Sequence, residues 1–394
     1  MSGAYLLGGV RTPIGKFLGG LSSLSAPELG AIAIRETLAR SGIESADVDE
    51  VIMGNVLAAG LGQAPARQAA LKAGLPDTVP AVTVNKVCGS GLKAVMLAAQ
   101  AVRLSDAEIV IAGGMESMSN APHVVRGLRM GKKLGELPME DVLLKDGLIC
   151  AFGDCHMGIY AESTAKKHQI TREDQDRYAA ESQRRASLAV SEGRFADEIV
   201  PVTIKDKRSD LTIAADEGPR PDTSYDQLSR LKPAFEDEGS VTAGNASMLS
   251  DGAAAVVVCN EETIRRSDAA WKARILAYHT SGTAPEDLFI APVSAIEGVL
   301  AKAGVKAEGV DLYEINEAFA SQMLACIQRL GIDPDRVNVH GGAIALGHPI
   351  GASGARILVT LLSALHQRRK KLGVASLCLG GGNAVAMLVE RVDS

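Results

Sequence analysis

The chain has 394 residues, a net charge of −6 at pH 7, 46% hydrophobic residues and 22% charged residues. This length exceeds one ordinary domain and favours two or three, each able to bury its own core. Acidic and basic residues are interspersed and form no basic face, which argues against a nucleic-acid partner and favours a small molecule. So large an apolar fraction also excludes a disordered chain.

The sequence carries no signal for a membrane or an oxidising compartment. No apolar run reaches the roughly 20 residues that a membrane span needs, and residues 1–10 lack a basic region followed by a long apolar stretch. The cysteines stand singly, as free thiols do in a reducing compartment. We therefore expect a cytoplasmic protein without a membrane partner. The six cysteines are Cys88, Cys150, Cys155, Cys259, Cys326 and Cys378.

An internal repeat is the strongest sign of how the chain is organised. Residues 38–49 recur in register as 300–311, and each copy predicts a helix, a glycine stop and a strand. After each copy come an alternating apolar stretch typical of a strand, a turn with a Ser-Gly pair, a helical pattern and an apolar strand that runs into glycines. The apolar stretches are 81–87 and 337–340, and the later strands are 108–114 and 373–382. The repeat predicts two related α/β halves packed together. The alternative is that the two segments share only the similarity common to any two α/β domains.

A stretch of different composition separates the two halves. From 119 to about 242 the chain has charged clusters, several prolines and no sustained strand pattern, which predicts an insertion. Within it, residues 172–191 should form a solvent-exposed helix that begins after a cap at Thr171. An apolar strand at 252–259 should return the chain to the first core. We assign 1–118 with 248–270 to an N-terminal half, 119–247 to an inserted loop domain and 271–394 to a C-terminal half.

The turn from Asn85 to Gly91 is the first candidate for chemistry. It places Cys88 between a predicted strand and a helix that runs to about Arg103. Backbone N–H groups and the positive end of the helix dipole stabilise a thiolate there and can hold the oxyanion of an acyl intermediate. Cys88 is therefore a candidate nucleophile, although a buried inert cysteine at a structural turn fits the pattern equally well.

A second glycine-rich segment, residues 338–354, carries His340 and His348. Pro349 disfavours helix at the residue before it and should hold the His348 imidazole on an extended turn. A lone histidine is more often structural than catalytic. This segment is, however, the repeat counterpart of the Cys88 turn, and pseudo-symmetry would bring both turns to the interface between the halves. His348 could then activate Cys88.

Two further candidate segments follow strands of the second half. Cys378 stands one residue before three glycines at the end of an apolar strand, and its thiol is either a core side chain or a proton carrier near the first thiol. In residues 314–320 a strand passes into a helix, and Asn316 or Glu317 is a candidate cap of that helix.

Other chemistries lack their sequence patterns. The chain has no Cys-x-x-Cys pair, no His-Glu-x-x-His and no Gly-x-x-x-x-Gly-Lys that would cradle a phosphate. Cys155 and His156 are adjacent but have no companions at metal-ligand spacing. A Gly-x-Gly-x-x-Gly after a strand is also missing. We therefore expect neither a metal nor a bound dinucleotide.

Four segments together resemble the thiolase family: residues 85–91, Asn316-Glu317-Ala318-Phe319, Gly347-His348-Pro349 and Cys378-Leu379-Gly380. The resemblance covers essentially the whole chain. It extends to Arg11-Thr12-Pro13, residues 113–119, His156-Met157-Gly158 and residues 242–247, in the family's order and spacing. It implies a thiolase-like, duplicated five-layer αβαβα fold with an inserted loop domain, in agreement with the repeat and the insertion.

The resemblance also implies a reaction, the reversible Claisen condensation of two acetyl-CoA molecules to acetoacetyl-CoA and CoA through an acetyl-cysteine. By matching position, Cys88 is the acylated nucleophile, His348 its base and Cys378 the acid or base that moves the α-proton. One oxyanion hole would use the N–H groups of Cys88 and Gly380. A second, for the enolate, would use His348 with a water held by Asn316.

The resemblance also implies that the substrates are CoA thioesters and that no cofactor is bound permanently.

The inserted domain would bind the CoA moiety, as it does in members of this family. Positions that match the pantetheine tunnel or the nucleotide site are Leu148, His156, Met157, Arg220, Ala243, Ser247, Ala318 and Phe319. The Met157 position matches short-chain relatives and implies a preference for acetyl-CoA and acetoacetyl-CoA. Departures from the family pattern are Asp154-Cys155, Met248 and Asn383-Ala384. We expect these at the pocket rim, where they would affect acyl specificity.

Three further expectations concern assembly, rival functions and reactivity. Residues 126–133 resemble the family's cationic tetramerisation loop and imply a homotetramer, a dimer of dimers; the alternative is a solvated basic loop.

Two rival functions fit the sequence less well. A decarboxylating or synthase-type condensing enzyme would place a second histidine where Cys378 stands. A silent acyl-CoA- or lipid-binding relative would not need both thiols, His348 and Asn316. We also expect Cys88 to be the more acidic thiol, because a helix N-terminus and an imidazole favour its thiolate.

Overall fold

A computed structural model describes residues 3–205 and 209–392 of the chain. Three short parts of the predicted units lie outside the described residues. They are 1–2 of the first half, 206–208 of the insertion and 393–394 of the second half. The first half contains β1 (Tyr5–Arg11), β2 (Gly15–Lys16), α1 (Ala26–Ser41), β3 (Glu50–Gly54), α2 (Pro65–Ala73), β4 (Ala81–Val84), α3 (Ser90–Leu104) and β5 (Ile109–Ser117). The insertion contains β6 (His123–Val125), β7 (Met139–Asp141), β8 (Ile149–Cys150), β9 (Cys155–His156), α4 (Met157–Lys167), α5 (Arg172–Ser191), β10 (Val202–Ile204), β11 (Leu211–Ile213) and α6 (Tyr225–Leu228). There follow β12 (Ser250–Cys259), α7 (Glu261–Arg266), β13 (Lys272–Gly282), α8 (Ala291–Ala303), β14 (Leu312–Ile315), α9 (Ala320–Leu330), α10 (Ala343–Leu346), α11 (Ser353–Gln367), β15 (Leu372–Leu379) and β16 (Asn383–Arg391).

Ten of the described strands form one mixed sheet, in which the two halves repeat the same order. From the middle outwards, the first half runs β1, β12, β5, β3, β4 and the second runs β13, β16, β15, β14. The tenth strand, β2, pairs with the beginning of β12 at the side of this order. In both halves the inner pairings are antiparallel and the outer pairings are parallel. The halves meet where β1 pairs with β13, with Leu6 opposite Ala273. This pairing confirms the duplication predicted from the internal repeat.

The glycine stops of the repeat are also present. Gly42 ends α1 with a φ of +67°, and Gly304 ends α8 with a φ of +65°. Only glycine adopts this left-handed backbone without steric cost, so both helices end where the sequence predicts. A short 3₁₀ turn, Ser45–Asp47 or Ala307–Gly309, then leads into the next strand in each half.

The strand expected at 337–340 is reduced to a single parallel bridge between Val337 and Tyr313. The chain leaves the sheet at Asn338, whose φ is +46°. The Asn338 side chain then replaces the backbone ladder, because it accepts from the Ile315 N–H at 2.9 Å and donates to the Ile315 carbonyl at 2.8 Å. Asparagine tolerates this backbone because its short amide can hydrogen-bond locally. The expectation of a full strand here is wrong.

Helices cover both faces of each half and produce five layers. α1 and α2 pack on the outer face of the first half, and α8 packs on the outer face of the second. α3 and α11 lie between the two groups of strands and contact each other. The central core joins these two helices to strands of both halves through fully buried side chains such as Val95, Leu358 and Val385. The predicted five-layer αβαβα fold is therefore confirmed.

α3 and α11 cross at glycines near their N-termini. A Cβ added to Gly91 would lie 2.7 Å from the backbone nitrogen of Ala355, and one added to Gly354 would collide with the backbone nitrogen of Leu92. No side chain larger than hydrogen fits at either position. The two Ser-Gly pairs of the repeat are thus the points where the helices touch. This contact brings the Cys88 turn and residues 338–354 to the same place.

α5 has the predicted bounds but not the predicted environment. Thr171 Oγ1 accepts from the Asp174 N–H at 3.1 Å, and the Asp174 carboxylate accepts from the Thr171 N–H at 2.9 Å, which completes the cap. One face of the helix is buried, however, and that face is largely polar. Asp176, for example, is fully buried and accepts from Arg172 at 2.6 Å and Asn245 at 2.9 Å. Because the buried face of α5 is largely polar, the sequence shows no apolar periodicity there, and the pattern predicted a solvent-exposed helix.

Among the described residues, one segment is long and apolar enough to span a membrane, Val87–Leu104, with a mean hydropathy of 1.2. The segment comprises α3 and the end of the turn before it, and 56% of it is buried inside the protein. A helix that packs between two layers needs apolar residues on most of its surface. The position of α3 therefore accounts for its hydropathy.

Candidate active site

A cavity of about 480 Å³ opens where the two halves meet the insertion. Its size suits a small-molecule ligand. Asn316 lies just behind the lining, against the His348 ring. All the other predicted site residues line the cavity: Cys88, His348, Cys378, Gly380, Leu148, His156, Met157, Arg220, Ala243, Ser247, Ala318 and Phe319.

A tight turn holds Cys88 at the N-terminus of α3. The Ser90 hydroxyl closes the turn, because it accepts from the Lys86 N–H at 2.8 Å and donates to the Val87 carbonyl at 2.6 Å. Val87 has a φ of +47°, which is strained for a β-branched residue. Cys88 directly precedes Gly89, the N-cap of α3. The position predicted for this thiol is confirmed, although β4 ends before the turn rather than at the cysteine.

The resting Cys88 thiol is not acidic. The residue borders the cavity and is only half-buried, yet burial of its sulfur raises the pKa to about 11. Hydrogen bonds from the N–H groups of Cys88 and Gly380 lower this pKa in part, and the Glu116 carboxylate raises it further. Desolvation therefore outweighs the helix N-terminus. The predicted cause of a more acidic Cys88, a helix N-terminus that favours its thiolate, is therefore outweighed in the free protein, but Cys88 is still the more acidic of the two cavity thiols, because burial raises the pKa of Cys378 well above its ordinary value.

The His348 imidazole is neutral and contacts a serine hydroxyl. Its Nδ1 lies 2.5 Å from the Ser353 hydroxyl, which also lies 2.9 Å from the Pro349 carbonyl. When the Ser353 proton is directed to that carbonyl, Nδ1 carries the ring proton and donates it to Ser353, and Nε2 is left free to accept a proton. Burial and the Arg356 charge lower the pKa of His348 to about 3. The ring can thus act as a base near neutral pH.

Asn316 follows β14 and contacts the imidazole from behind. Its Nδ2 lies 3.5 Å from both ring nitrogens of His348, and its Oδ1 accepts from Arg356 Nη2 at 3.4 Å. Neither Asn316 nor Glu317 caps α9, which begins at Ala320. Glu317 instead ties the insertion to the second half, since its carboxylate accepts from Tyr178, Ser182, Asn338 and the Ile344 N–H at 2.7–3.1 Å.

Cys378 lies near the end of β15 and is 2% exposed. Burial raises the pKa of its thiol well above the ordinary value, and the neighbouring Cys88 and Cys326 thiols raise it further. Gly381 and Gly382 then reverse the chain into β16 with φ values of +82° and +83°. A thiol in this environment stays protonated until a reacting group takes its proton.

An aromatic cluster forms one wall of the cavity. The His156 ring stacks on Phe235 at 4.7 Å between ring centroids, and Phe235 and Phe289 both meet Phe319 edge-on. His156 Nδ1 accepts from the Gly158 N–H at 3.0 Å, so the ring also caps α4. Such a wall suits an uncharged part of a ligand better than a charged group.

Both the sequence and the structure resemble those of known proteins. The family description "Thiolase, N-terminal domain" matches residues 4–262, and "Thiolase, C-terminal domain" matches residues 269–391. The chain belongs to the thiolase family. It is 52% identical to an acetyl-CoA acetyltransferase of Thiocystis violacea over 97% of both chains, and 51% identical to one of Escherichia coli over the full length of both. The crystal structure of the Bacillus anthracis acetyl-CoA acetyltransferase superposes with a TM-score of 0.97 at 41% identity, and the match covers 100% of this chain and 99% of that one.

Two residues next to the candidate catalytic groups are not predicted as site residues from the sequence. Ser353 belongs to one of the Ser-Gly pairs, and Glu116 belongs to the segment 113–119 that resembles the family. Glu116 is fully buried, with a pKa raised by burial to about 7. Its carboxylate accepts from Asn55 Nδ2 and from the N–H groups of Val56, Leu57 and Gly351 at 2.8–3.1 Å. The sequence does contain one signal for Glu116, which is the only acidic residue of the otherwise largely apolar strand β5.

The departures from the family pattern do not all lie at the cavity. Met248 lines it, as expected. The expectation for Asp154-Cys155 and Asn383-Ala384 is wrong, because none of these four residues is part of the lining. Asn383 instead begins β16, where it opposes Leu379. Among the described residues, no group of three or more His, Cys, Asp or Glu side chains could hold a metal ion.

Proposed function

We propose that this thiolase is an acetyl-CoA acetyltransferase, which condenses two acetyl-CoA molecules to acetoacetyl-CoA and CoA and also runs in the thiolysis direction. The observation that carries the proposal is the convergence of two thiols, Cys88 and Cys378, and a neutral imidazole, His348, on one cavity. A condensation needs a nucleophile that carries the first acyl group and a separate group that moves an α-proton. The names of the relatives at 51–52% identity support the same activity.

The first half-reaction is acyl transfer to Cys88. His348 Nε2 takes the thiol proton as the sulfur attacks the thioester carbonyl, so the raised pKa of Cys88 is overcome only when substrate is present. The N–H groups of Cys88 and Gly380 hold the oxyanion. The bond between the acyl carbon and the CoA sulfur then breaks, and the leaving thiolate takes the Cys378 proton. An acetyl-cysteine, a Cys378 thiolate and a protonated His348 remain.

The second half-reaction forms the carbon–carbon bond. The Cys378 thiolate takes a proton from the methyl group of a second acetyl-CoA, and His348, with a water held by Asn316, stabilises the enolate oxygen. The enolate carbon attacks the acetyl group on Cys88, whose sulfur leaves and recovers its proton from His348. Each group returns to its starting state, and every proton taken in the first half is returned in the second.

The activity is tested by incubating the purified protein with acetoacetyl-CoA and CoA and following the loss of the 3-ketoacyl thioester. We expect acetyl-CoA as the product with the parent protein and with Cys155→Ala, a control that removes a half-buried thiol outside the cavity lining. Cys88→Ala should be inactive. Unchanged acetoacetyl-CoA with the parent protein would favour the silent binding relative and refute the proposal.

We propose that CoA thioesters bind along the aromatic wall and that short acyl groups are preferred. Met157 lines the cavity beside the Gly380 turn, where a Cβ on Gly380 would lie 3.8 Å from Met157 Cε. Leu148, Ala243, Ser247, Ala318 and Phe319 would contact the pantetheine arm, and the exposed Arg220 would meet a CoA phosphate. A comparison of kcat/KM for acetoacetyl-CoA and a ten-carbon 3-ketoacyl-CoA tests this, since a preference for the longer substrate would contradict it.

We also propose a homotetramer assembled through the loop at residues 126–133 together with Leu134, the next residue. The loop is basic, and the apolar side chains of Met130 and Leu134 are each 91% exposed. Exposed apolar side chains are typical of a surface that another subunit covers. Light scattering should show a tetramer for the parent protein and a smaller species for a Met130→Glu, Leu134→Glu double variant. A monomeric parent protein would contradict the proposal.

The domain division and the compartment are proposals of the same kind. Three units, 1–118 with 248–270, 119–247 and 271–394, are supported by the bounds of the core strands, because β5 ends at Ser117 and β12 begins at Ser250. A cytoplasmic location is supported by the cysteines, all six of which are free thiols.

A further inference from the structure

A second cavity, of about 570 Å³, lies apart from the active site and shares no lining residue with it. It is formed by the C-terminal ends of α5 and α11 and by the chain on both sides of Val337. Arginines dominate its polar lining, which consists of Arg184, Arg185, Arg194, Arg368, Glu192, Asp335, His340 and Gln367. No step of the proposed reaction uses any of these residues.

Two buried polar atoms of this cavity lack a hydrogen-bond partner among the described residues. His340 is 4% exposed, and its Nδ1 is unpaired. Gln367 Oε1 is also buried and unpaired, while its Nε2 donates to the Arg194 carbonyl at 2.7 Å and to the Ser363 hydroxyl at 3.0 Å. The amide cannot turn its oxygen elsewhere without losing both of these bonds. Buried polar atoms in folded proteins are nearly always paired, so a ligand or an ordered water is needed here.

Arg368 is the arginine of this cavity that has no ion-pair partner among the described residues. Arg368 reaches only the Val339 carbonyl, at 3.4 Å, and no described carboxylate lies within salt-bridge distance of it. Burial lowers the pKa of Arg368, and the neighbouring Arg194 and Arg185 charges lower it further. The other arginines do have partners: Arg184 and Arg185 share Glu181, Arg185 also meets Asp335, and Arg194 meets Glu192.

We propose that this cavity binds hydrogen phosphate. The oxygens of the ion would accept from Arg368 and Arg194, and its remaining P–OH group would donate to Gln367 Oε1, which can only accept. Sulfate has the same shape and charge but carries no proton at neutral pH. It would match the arginines and leave Gln367 Oε1 unpaired, so the site should distinguish the two ions.

The test is isothermal titration of the full-length protein with phosphate and with sulfate at matched ionic strength near pH 7.5. We expect one saturable phosphate site and binding of sulfate at least about tenfold weaker, since an unpaired buried acceptor carries that cost. Arg368→Gln should weaken phosphate binding by about tenfold or more, through loss of a charge-assisted hydrogen bond. Arg369→Gln removes the same charge one residue further along and outside the cavity lining, so it should bind as the parent does.

Two further variants make the result decisive. Gln367→Leu should reduce the preference for phosphate over sulfate. Arg220→Gln tests whether phosphate binds in the active-site cavity instead, where CoA phosphates would lie. The proposal is overturned if the parent shows no saturable phosphate binding, if sulfate binds equally well, or if Arg220→Gln abolishes binding while Arg368→Gln does not. Thiolysis activity should stay unchanged in Arg368→Gln, which lines no part of the active site.

Discussion

The pKa of Cys88 depends on two opposing effects of its position. The N-terminus of α3 and two backbone N–H groups favour the thiolate, whereas burial of the sulfur favours the thiol, and burial is the larger effect. A free protein with a reactive thiolate would be open to oxidation and alkylation. In the proposed reaction the Cys88 thiol becomes a nucleophile only when His348 takes its proton.

The reactivity of Cys88 should therefore depend steeply on pH. Because the pKa is about 11, the thiolate fraction is small at pH 7 and rises with pH, so the rate of alkylation should increase about tenfold per pH unit between pH 7 and 9. Mass spectrometry after brief treatment with iodoacetamide measures this rate, with acetyl-CoA as a protecting control. A rate that is already constant at pH 7 would mean that an ion pair with His348 exists in the free protein, against this assignment.

Ser353 should matter for catalysis through the tautomer of His348. Without its hydroxyl, the ring proton could move to Nε2, the nitrogen that must accept the Cys88 proton. We expect Ser353→Ala to lower kcat by a factor on the order of 10 to 10², with little change in KM. Ser363→Ala, a fully buried serine of the same helix without contact to His348, is the matched control. Equal kcat losses in the two variants would mean that Ser353 acts only in packing.

The sequence identified most of the candidate site at the scale of single residues. Cys88, His348 and Cys378 stand next to glycines in turns, and that context separates them from other cysteines and histidines. Ser353 and Glu116 were missed because their partners are distant or depend on a side-chain rotamer. Glu116, for example, accepts from the Gly351 N–H, which is far away in the sequence. No local pattern encodes such contacts.

At the scale of elements, the crossing of α3 and α11 positions the reacting groups. The two helices begin at the Cys88 turn and at the end of the His348 segment, so their separation sets the distance between nucleophile and base. Backbone atoms touch at Gly91 and Gly354, which leaves no freedom to adjust.

A methyl group at this crossing should disturb both stability and activity. Gly354→Ala would force the helices apart, because its Cβ meets the backbone of Leu92, and should destabilise the protein by about 1–3 kcal/mol. Gly309→Ala is the control, since its Cβ has only an ordinary contact with Val305 at 3.7 Å. Thermal unfolding at equal protein concentration and the thiolysis rate would measure the effects. A Gly354→Ala protein as stable and active as the control would show that the crossing is not under this constraint.

Helix and strand bounds were predictable where one physical pattern dominated. The cap at Thr171 and the glycine stops at Gly42 and Gly304 marked helix ends, and apolar runs marked the buried strands. Prediction failed where polar side chains replaced backbone or apolar contacts. Asn338 substitutes for a strand, and the buried face of α5 is built around Asp176. In both cases the tertiary partner, rather than the local sequence, decides the structure.

At the scale of the whole molecule, the duplication divides the proposed catalytic groups between the halves. The first half supplies Cys88, and the second supplies His348, Asn316 and Cys378. The antiparallel pairing of β1 with β13 and the contact of α3 with α11 hold them at one cavity. The insertion adds the remaining wall. Neither half could therefore carry out the reaction alone.

This arrangement predicts that the two half-reactions can be separated by mutation. Acyl transfer needs Cys88, its base and one oxyanion hole, whereas condensation also needs a group that takes a proton from a weakly acidic methyl group. Cys378→Ala should still become acetylated by acetyl-CoA and exchange acetyl groups with free CoA, while condensation and thiolysis fall by a factor on the order of 10² or more. Exchange should itself be somewhat slower, because the leaving CoA would have to take its proton from His348 instead.

Two controls separate this division of labour from a general loss of structure. Cys326→Ala removes a second buried thiol that lies close to Cys378 and should leave both half-reactions largely intact. Cys88→Ala should lose the covalent acetyl group and both half-reactions. Mass spectrometry of the acetylated protein, together with isotope exchange into CoA, distinguishes these results. Condensation by Cys378→Ala at near the parent rate, or a stable acetyl group on Cys88→Ala, would show that the roles of the two thiols are assigned wrongly.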